Sequence, residues 1–305
     1  MSTVGVGFGF APQFWQLPHA DRQRAVDRIN ASGIDYVCVS DHVAFRGGNG
    51  WDAFIQAAML VGHGVAVPIH IGVALLPLRH PTLVARQLLD IALGAQAGVV
   101  CGVGVGGEDP DEYSMVGLDV TDRGARMDES LPLLRTLLDG EPVDHRGPHV
   151  TAVGPGLRSS GGSRVGLLVG GSAPAAIERA AIVDGWIGTF AAVDRWGARA
   201  AAVRALHPEA VVAHQLWAGA GPDADSARSF VDDTLTNFYG LPPAWFRRHT
   251  PCGTATELAA FLAPWAHAAD GRPAADQLTV FAVAATFDEA IDTVAGARRL
   301  LHELG

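Results

Sequence analysis

Asp41 and His42 stand side by side at the end of an apolar run, Tyr36–Ser40. Imidazole titrates near neutral pH, so His42 is suited to moving a proton or to holding a polar ring. Glu108 follows another apolar run and is the further acid candidate. We predict that Asp41, His42 and Glu108 carry the chemistry of a pocket. A strand that simply ends in solvent is the alternative.

Other reactive groupings are missing from the sequence. The twelve histidines show no H-E-x-x-H spacing, and Asp41 with His42 supplies too few ligands for a metal. No G-x-S-x-G motif or Cys–His pair indicates a nucleophile. We therefore predict no metal site and no covalent catalysis.

Eight short apolar runs predict the strands that must position these groups. They are Val4–Phe10, Asp35–Ser40, Ile69–Pro77, Gly98–Val105, Arg164–Gly170, Gly185–Phe190, Ala210–Gly219 and Gln277–Ala284. Such near-continuous apolar strands are typical of parallel sheets that are buried on both faces.

Amphipathic segments between these runs predict helices. They are Asp21–Ala31, Thr82–Leu93, Arg123–Leu138, Ala175–Asp184, Asp194–Leu206, Ala224–Phe238, Thr256–His267 and Phe287–Leu304. The alternation predicts an α/β fold, a (β/α)8 TIM barrel, as one domain over residues 1–305. A doubly wound sheet is the competing architecture.

One long segment, Gly140–Ser163, lacks either pattern and is rich in glycine, proline and serine. We predict that residues 140–163 form an irregular insertion between the fourth helix and the fifth strand. Loops of this length are often functional, so we expect this one to lie over the barrel mouth.

Glycines recur where the predicted strands end, at Gly106–Gly107 and at Gly170–Gly171. The active sites of TIM barrels lie at these ends, and glycine lets the backbone approach a ligand closely. The aromatic residues Trp15, Trp51, Phe190 and Trp217 are candidates for an apolar substrate wall. Together these features favour a pocket for a large planar heterocycle.

Two glycine motifs need separate interpretation. GVGVGG, Gly102–Gly107, matches the dinucleotide fingerprint, but the acids and the proline that follow do not begin a helix at a pyrophosphate. GGSAPAAIERA, from Gly170, predicts a helix with Ser172 as N-cap, whose free amides would suit an anion. An ordinary capped turn is the alternative.

Composition limits the partners. The chain is 49% hydrophobic, carries a net charge of −10 and contains 37 glycines. An acidic chain of this kind is not expected to bind nucleic acid or an anionic membrane. Its three cysteines lack a CxxC spacing, and its first residues lack a signal-peptide pattern, so we expect a reducing, cytoplasmic setting.

Several segments, taken in order, resemble the luciferase-like flavin and deazaflavin oxidoreductase family. They are GIDYVCVSDHV, IGVALLPLRHPTLVARQLLD, GVGVGGEDPDEYSMVG, RGARMDE, GEPVDHRGPHV and VGGSAPAAIERAAIVDGW. The resemblance implies a TIM barrel that binds the deazaflavin F420, with FMN as the alternative.

The same resemblance implies roles for particular residues. Asp41 and His42 match a pair that touches the ring in F420-dependent members. A non-proline cis peptide is implied at Gly72–Val73 or Val73–Ala74, behind the ring. Gly106, Gly107, Gly170, Gly171 and Ser172 match the segments that approach the cofactor. Arg79 belongs to an element whose role in the family is mainly structural.

The implied activity is hydride transfer between F420 and a small organic substrate by a homodimer. An FMN-dependent monooxygenase and a non-catalytic flavin-binding protein are the alternatives. The chain has Arg46 where phosphosugar-oxidising members have a catalytic tryptophan, and it contains no lysine, so a sugar phosphate is not expected. Glu108 is one residue away from the acid of those members and is the candidate proton donor.

Overall fold

Eight parallel strands close into a barrel in a computed structural model that describes residues 3–159, 161–267 and 274–303. The strands are β1 Gly5–Gly9, β2 Tyr36–Val39, β3 Ile69–Leu75, β4 Val99–Gly104, β5 Gly166–Gly170, β6 Gly185–Thr189, β7 Val211–Ala220 and β8 Gln277–Val283. Neighbours in sequence are neighbours in space, and β1 pairs with β8. The predicted (β/α)8 barrel is confirmed.

Helices cover the outside of the barrel. They are α1 His19–Ser32, α2 Ala53–Gly62, α3 Pro81–Gly94, α4 Arg123–Leu138, α5 Pro174–Ala180, α6 Val193–Leu206, α7 Ala224–Tyr239, α8 Ala255–Ala266 and α9 Phe287–Glu303. Local signals fix several helix starts: Pro81 occupies the first turn of α3, and Thr254 with Glu257 forms a capping box at α8. The predicted end of the last helix, Leu304, lies outside the described residues.

Short elements join these units. They are the helical turns Pro12–Trp15, Phe45–Gly48 and Asp111–Ser114, the 3-10 turns Leu76–Leu78, Val120–Asp122, Pro243–Trp245 and Arg247–His249, and the strand Cys252–Gly253. His42–Ala44 and Asn49–Trp51 form a small antiparallel hairpin after β2. This hairpin brings the residues that follow β2 back over the carboxyl end of the barrel.

Large side chains on some strands fill the space left by glycines on others. The ring of Tyr36 lies over Gly7, where a Cβ would come within 2.1 Å of it, and the ring of Phe281 lies over Gly9. Tyr36 also hydrogen-bonds Thr279 and stacks on His70 at 3.9 Å between ring centroids. Tyr36 and His70 therefore fill the amino end of the barrel, whereas Phe281 lies nearer the carboxyl end and borders the open space there.

The structure corrects the expectation for residues 140–163. This segment contains an antiparallel hairpin, Val143–Arg146 with Thr151–Gly154, instead of being irregular. It lies beside α4, where the Glu129 carboxylate accepts hydrogen bonds from the backbone N–H groups of His149 and Val150. These bonds hold the hairpin in the outer layer, so its described residues do not cover the barrel mouth.

Two helix predictions also needed correction. The helix predicted to reach Asp184 ends at Ala180, and the Asp184 carboxylate instead accepts a hydrogen bond from the backbone N–H of Leu167. Helix α2 was not predicted, because its sequence, AFIQAAMLVG, is apolar on almost every side. Within the described ranges, no helix is both long enough and apolar enough to cross a membrane.

Candidate functional site

Asp41 lies two residues after the end of β2, and its carboxylate is fully buried. Arg79 donates two hydrogen bonds to it, at 2.7 and 2.8 Å, and the backbone N–H groups of Leu75 and Ala53 donate at 2.9 and 3.2 Å. Burial raises the pKa of Asp41, while Arg79 and the two N–H donors act against that rise. Both oxygens are thus already bonded within the protein, and the carboxylate joins β2, β3 and α2. A ring contact by Asp41 stays a prediction.

His42 faces a carboxylate that the sequence did not single out. Its Nδ1 lies 3.2 Å from both oxygens of Glu112, and one of these oxygens also accepts a hydrogen bond from the Val43 N–H at 2.8 Å. The Glu112 side chain is 2% exposed and that of His42 is 18% exposed. When Nδ1 carries the proton, it donates a hydrogen bond to the Glu112 carboxylate, and Nε2 is then the nitrogen left for a ligand.

A second carboxylate fixes the hairpin after β2. Asp109 accepts a hydrogen bond from the Arg46 N–H at 2.6 Å, and this bond lowers the pKa of Asp109. Arg46 has a φ of 44°, an unusual conformation for a residue with a side chain. Asp109 and Glu112 together tie the segment after β4 to the segment after β2, so the position of His42 is set from both sides.

The Gly72–Val73 peptide is cis, and the register of β3 against β4 shifts between Ile71 and Ala74. The Val73 side chain meets Gly102, Gly104 and Gly170, where an added Cβ would come within 2.9 Å of its methyl groups. These glycines let Val73 lie flat against β4 and β5. Gly72 and Val73 line the pocket, whereas Ala74 is 1% exposed and does not line it. The cofactor contacts predicted for these three residues stay predictions.

The remaining predicted residues lie along the pocket. Gly106 and Gly107 follow β4 with φ values of 58° and 90°, which favour glycine, and Glu108 lies on the exposed rim. Gly170, Gly171 and Ser172 follow β5 and also line the cavity. The roles predicted for these residues in binding a cofactor stay predictions.

Ser172 is not the N-cap that the sequence predicted. Ala173 holds that position, without a side-chain hydrogen bond, and α5 has only seven residues. The neighbouring Arg179 donates to Asp128 and to the carbonyl of Gly124, at 2.7 and 3.1 Å. The β5–α5 turn is therefore an uncapped turn beside a guanidinium that is already engaged.

Aromatic rings close the other side of the pocket. Tyr239 lies 5.1 Å from Phe246, and Trp217 lies 5.2 Å from Phe281, between ring centroids. Burial raises the pKa of Tyr239, which keeps its hydroxyl neutral. The rings that line this side are Phe190, Trp217, Phe238, Tyr239, Phe246 and Phe281. Of the four predicted wall residues, Phe190 and Trp217 line the pocket, whereas Trp15 and Trp51 do not.

The two sides enclose a cavity of about 550 Å³ at the carboxyl ends of the strands. We call the part formed by the ends of β2 to β5 the polar half; its residues include His42, Val73, Gly106–Glu108, Glu112 and Gly170–Ser172. We call the part formed by the six rings the aromatic half. A volume of this size is within the range of pockets that enclose drug-sized molecules.

The comparisons with known proteins agree with this architecture. The family model described as luciferase-like monooxygenase matches residues 16–300. The chain belongs to this family. An uncharacterised protein from Mycobacterium tuberculosis is 31% identical over 160 residues, which are 52% of this chain and 55% of the relative. The chain thus spans about half the length of the curated relatives that it matches.

Two solved structures share the fold of this chain. An F420-dependent secondary alcohol dehydrogenase in complex with an F420–acetone adduct has a TM-score of 0.80 at 16% identity, over 97% of this chain and 98% of that one. The oxygenating constituent of 3,6-diketocamphane monooxygenase from Pseudomonas putida, in complex with FMN, has a TM-score of 0.71 at 16% identity, over 96% and 97%. At these identities the likeness concerns the fold.

Sequence reasoning missed Glu112, Asp109 and Phe238, which complete the site. Glu112 lies four residues after Glu108, inside the quoted segment EDPDEY, but no local pattern reveals that it faces His42. Phe238 lies in the last turn of α7, and its ring centroid is 5.5 Å from that of His42, across about 200 residues of sequence. Only the closed barrel brings these residues together.

Proposed function

We propose that this luciferase-like protein is an oxidoreductase that binds the deazaflavin F420 in the polar half and transfers a hydride between it and a small organic substrate. The observation that carries the proposal is His42, held through Nδ1 by the buried Glu112 beside the Gly72–Val73 floor. The F420-bound alcohol dehydrogenase of the same fold supports this cofactor class. FMN is the alternative, supported by the FMN-bound monooxygenase of the same fold.

The residues present fit a tricyclic ring. Val73 offers a flat apolar surface because Gly102, Gly104 and Gly170 make room for it, and a Cβ at any of the three would displace it. Gly106, Gly107 and Gly171 leave backbone close to the open space. His42 Nε2 supplies one polar contact at the edge of this surface.

The cofactor, when bound, supplies the hydride chemistry, and the protein supplies orientation and proton handling. His42 Nε2 takes or returns the proton that accompanies hydride transfer, and Glu112 stabilises the imidazolium that forms. The Asp41–Arg79 pair fixes the backbone that carries His42. The six rings exclude water from the face where the substrate lies.

A paired titration tests the proposal. Purified protein is titrated with F420 and with FMN while the fluorescence of Trp217, which lines the cavity, reports occupancy. We expect tighter binding of F420, and we expect His42→Ala to weaken it about tenfold or more, as loss of one ring contact does. The exposed His267, after α8, gives the matched control variant His267→Ala, which should bind as wild type does.

Three results would change the proposal. If the protein prefers FMN and consumes oxygen in proportion to the product formed, the proposed function becomes that of a flavin monooxygenase. If the protein binds a cofactor but turns over no compound in a broad panel of alcohols and carbonyl compounds, the proposed function becomes that of a flavin-binding protein. Failure to bind either ring removes the cofactor from this pocket.

A further inference from the structure

Gln215 brings an unpaired polar group to the floor of the pocket. It lies on β7, in register with Thr189 of β6 and Thr279 of β8, two residues before Trp217. Its side chain reaches toward Gly72, where an added Cβ would be 2.8 Å from Oε1. This oxygen is buried and has no hydrogen-bond partner, which holds for no other lining side chain in the described ranges.

A buried carboxamide oxygen without a partner destabilises the folded protein, and buried polar groups in native structures are nearly always paired. The oxygen itself has almost no accessible surface, but the half-buried Gln215 lines the cavity, so a bound molecule can supply the partner once the carboxamide has rotated toward it. The carboxamide offers both a donor and an acceptor, and it can exchange them by rotation. It therefore suits a carbonyl oxygen and a hydroxyl group equally well.

The aromatic half defines the rest of that molecule. Its described lining residues carry no formal charge; the charged lining groups, Asp41, His42, Arg46, Glu108, Glu112 and Arg179, all belong to the segments after β2, β4 and β5. A charged molecule would lose its hydration among the six rings without gaining a counterion. An uncharged, mostly apolar molecule gains contact area there.

We infer that the aromatic half takes an uncharged, weakly polar alcohol or carbonyl compound, and that Gln215 recognises its oxygen. This inference rests on the proposed function for the identity of the second ligand. Gln215 then acts as a specificity-determining residue. A hydrocarbon of the same shape leaves the carboxamide unpaired, and sites built to bind a hydroxyl reject such analogues.

A panel of cyclohexyl compounds of similar shape tests the inference. Cyclohexanol, cyclohexanone, methylcyclohexane, cyclohexylamine and cyclohexanecarboxylate are titrated into cofactor-free and F420-loaded protein, with tryptophan fluorescence and thermal shift as readouts. We expect the alcohol and the ketone to bind about tenfold more tightly than methylcyclohexane, which is the ratio that one uncharged hydrogen bond gives. We expect the two charged compounds to bind most weakly.

Matched variants separate the carboxamide from the shape of the pocket. Gln215→Leu should remove the preference for oxygen-containing compounds and leave thermal stability equal or higher. Gln277→Leu is the control, since Gln277 of β8 also has a buried unpaired oxygen but does not line the pocket. It should keep the preference. If Gln215→Leu does not fold, Gln215→Met supplies the same test.

Each remaining result overturns the inference. It fails if wild type binds methylcyclohexane as tightly as cyclohexanone, if a charged compound binds best, or if Gln215→Leu keeps the preference. It also fails if Gln215→Leu weakens F420 binding while Gln277→Leu does not, because Gln215 would then contact the cofactor. Failure of wild type to bind F420 or FMN contradicts the proposed function instead, and the cofactor-free titrations still decide the role of Gln215.

Discussion

The two halves of the pocket use their polar groups in opposite ways. In the polar half the buried carboxylates of Asp41 and Glu112 are bonded to named partners, and the loops that carry them are tied to each other. In the aromatic half the surface is made of rings, and at the floor between the two halves the Gln215 oxygen, beside Gly72, is left unpaired. Because the buried carboxylates of the polar half already have hydrogen-bond partners, its shape is fixed, which suits a cofactor that is the same in every turnover. A half with apolar walls and one free hydrogen-bonding group is suited to selecting a substrate.

The largest effect is expected at the ion pair beneath the polar half. Asp41→Asn removes the buried counterion of the Arg79 guanidinium and leaves only the exposed Asp52 beside it, which should lower the free energy of unfolding by about 3–5 kcal/mol. Denaturant titration of cofactor-free protein measures this. Asp52→Asn is the control: Asp52 touches the same guanidinium from a side chain that is 40% exposed, and asparagine still caps α2. Wild-type stability combined with lost F420 affinity in Asp41→Asn would make Asp41 a ring contact.

The next effect separates two acids of the polar half. Glu112→Gln keeps an acceptor for the Val43 N–H but removes the negative charge beside His42 Nδ1, so turnover should fall about 100-fold. The pH profile of kcat should also change, which a purely structural loss would not cause. Glu108→Gln, on the exposed rim, should stay within about threefold. A larger loss of turnover in Glu108→Gln than in Glu112→Gln would instead support Glu108 as the proton donor.

A glycine substitution tests the floor of the polar half. Gly104→Ala places a Cβ 2.9 Å from a Val73 methyl group, so Val73 must move. We expect a loss of about 2 kcal/mol in unfolding free energy, together with weaker F420 binding. Gly197→Ala in α6 has open space around its Cβ and should be neutral or stabilising. Unchanged F420 affinity in Gly104→Ala would mean that the ring does not lie on Val73.

The smallest effect is expected at the boundary between the halves. Phe238 contacts His42 on one side and stacks on Trp51 at 6.0 Å on the other. Phe238→Leu keeps apolar volume and loses ring contacts, so unfolding free energy should fall by about 1 kcal/mol. The Kd for F420 and the KM for substrate should both rise by less than about fivefold. A rise only in the Kd for F420 would assign Phe238 to the polar half, and a rise only in the KM for substrate would assign it to the aromatic half.

The sequence predicted the barrel better than it predicted the site. All eight strands were located because each is an apolar run, and the bounds of α4 were correct because its apolar residues recur at helical spacing. The luciferase-like family was confirmed, and the cis peptide was found at one of the two predicted positions, Gly72–Val73. The strands and α4 follow from local sequence patterns, whereas the cis peptide was implied by the resemblance to the family.

The contacts that organise the site are not local. Glu112 meets His42 across 70 residues, and Gln215 reaches Gly72 from the far side of the barrel. The hairpin within residues 140–163 depends on Glu129 of α4, which the segment itself does not contain. The sequence shows which charged and polar residues the chain contains, whereas the fold decides which of them come into contact in the site.

The most direct measurement is a crystal structure of the protein with F420 bound. We predict that the deazaflavin ring lies against Val73, with His42 Nε2 at its edge. The six rings should face open space on the opposite side, and the Gln215 carboxamide, beside Gly72, should border that space. A ring bound among Trp217, Phe281 and Phe246, with the Val73 surface left free, would contradict the division of the pocket into a cofactor half and a substrate half.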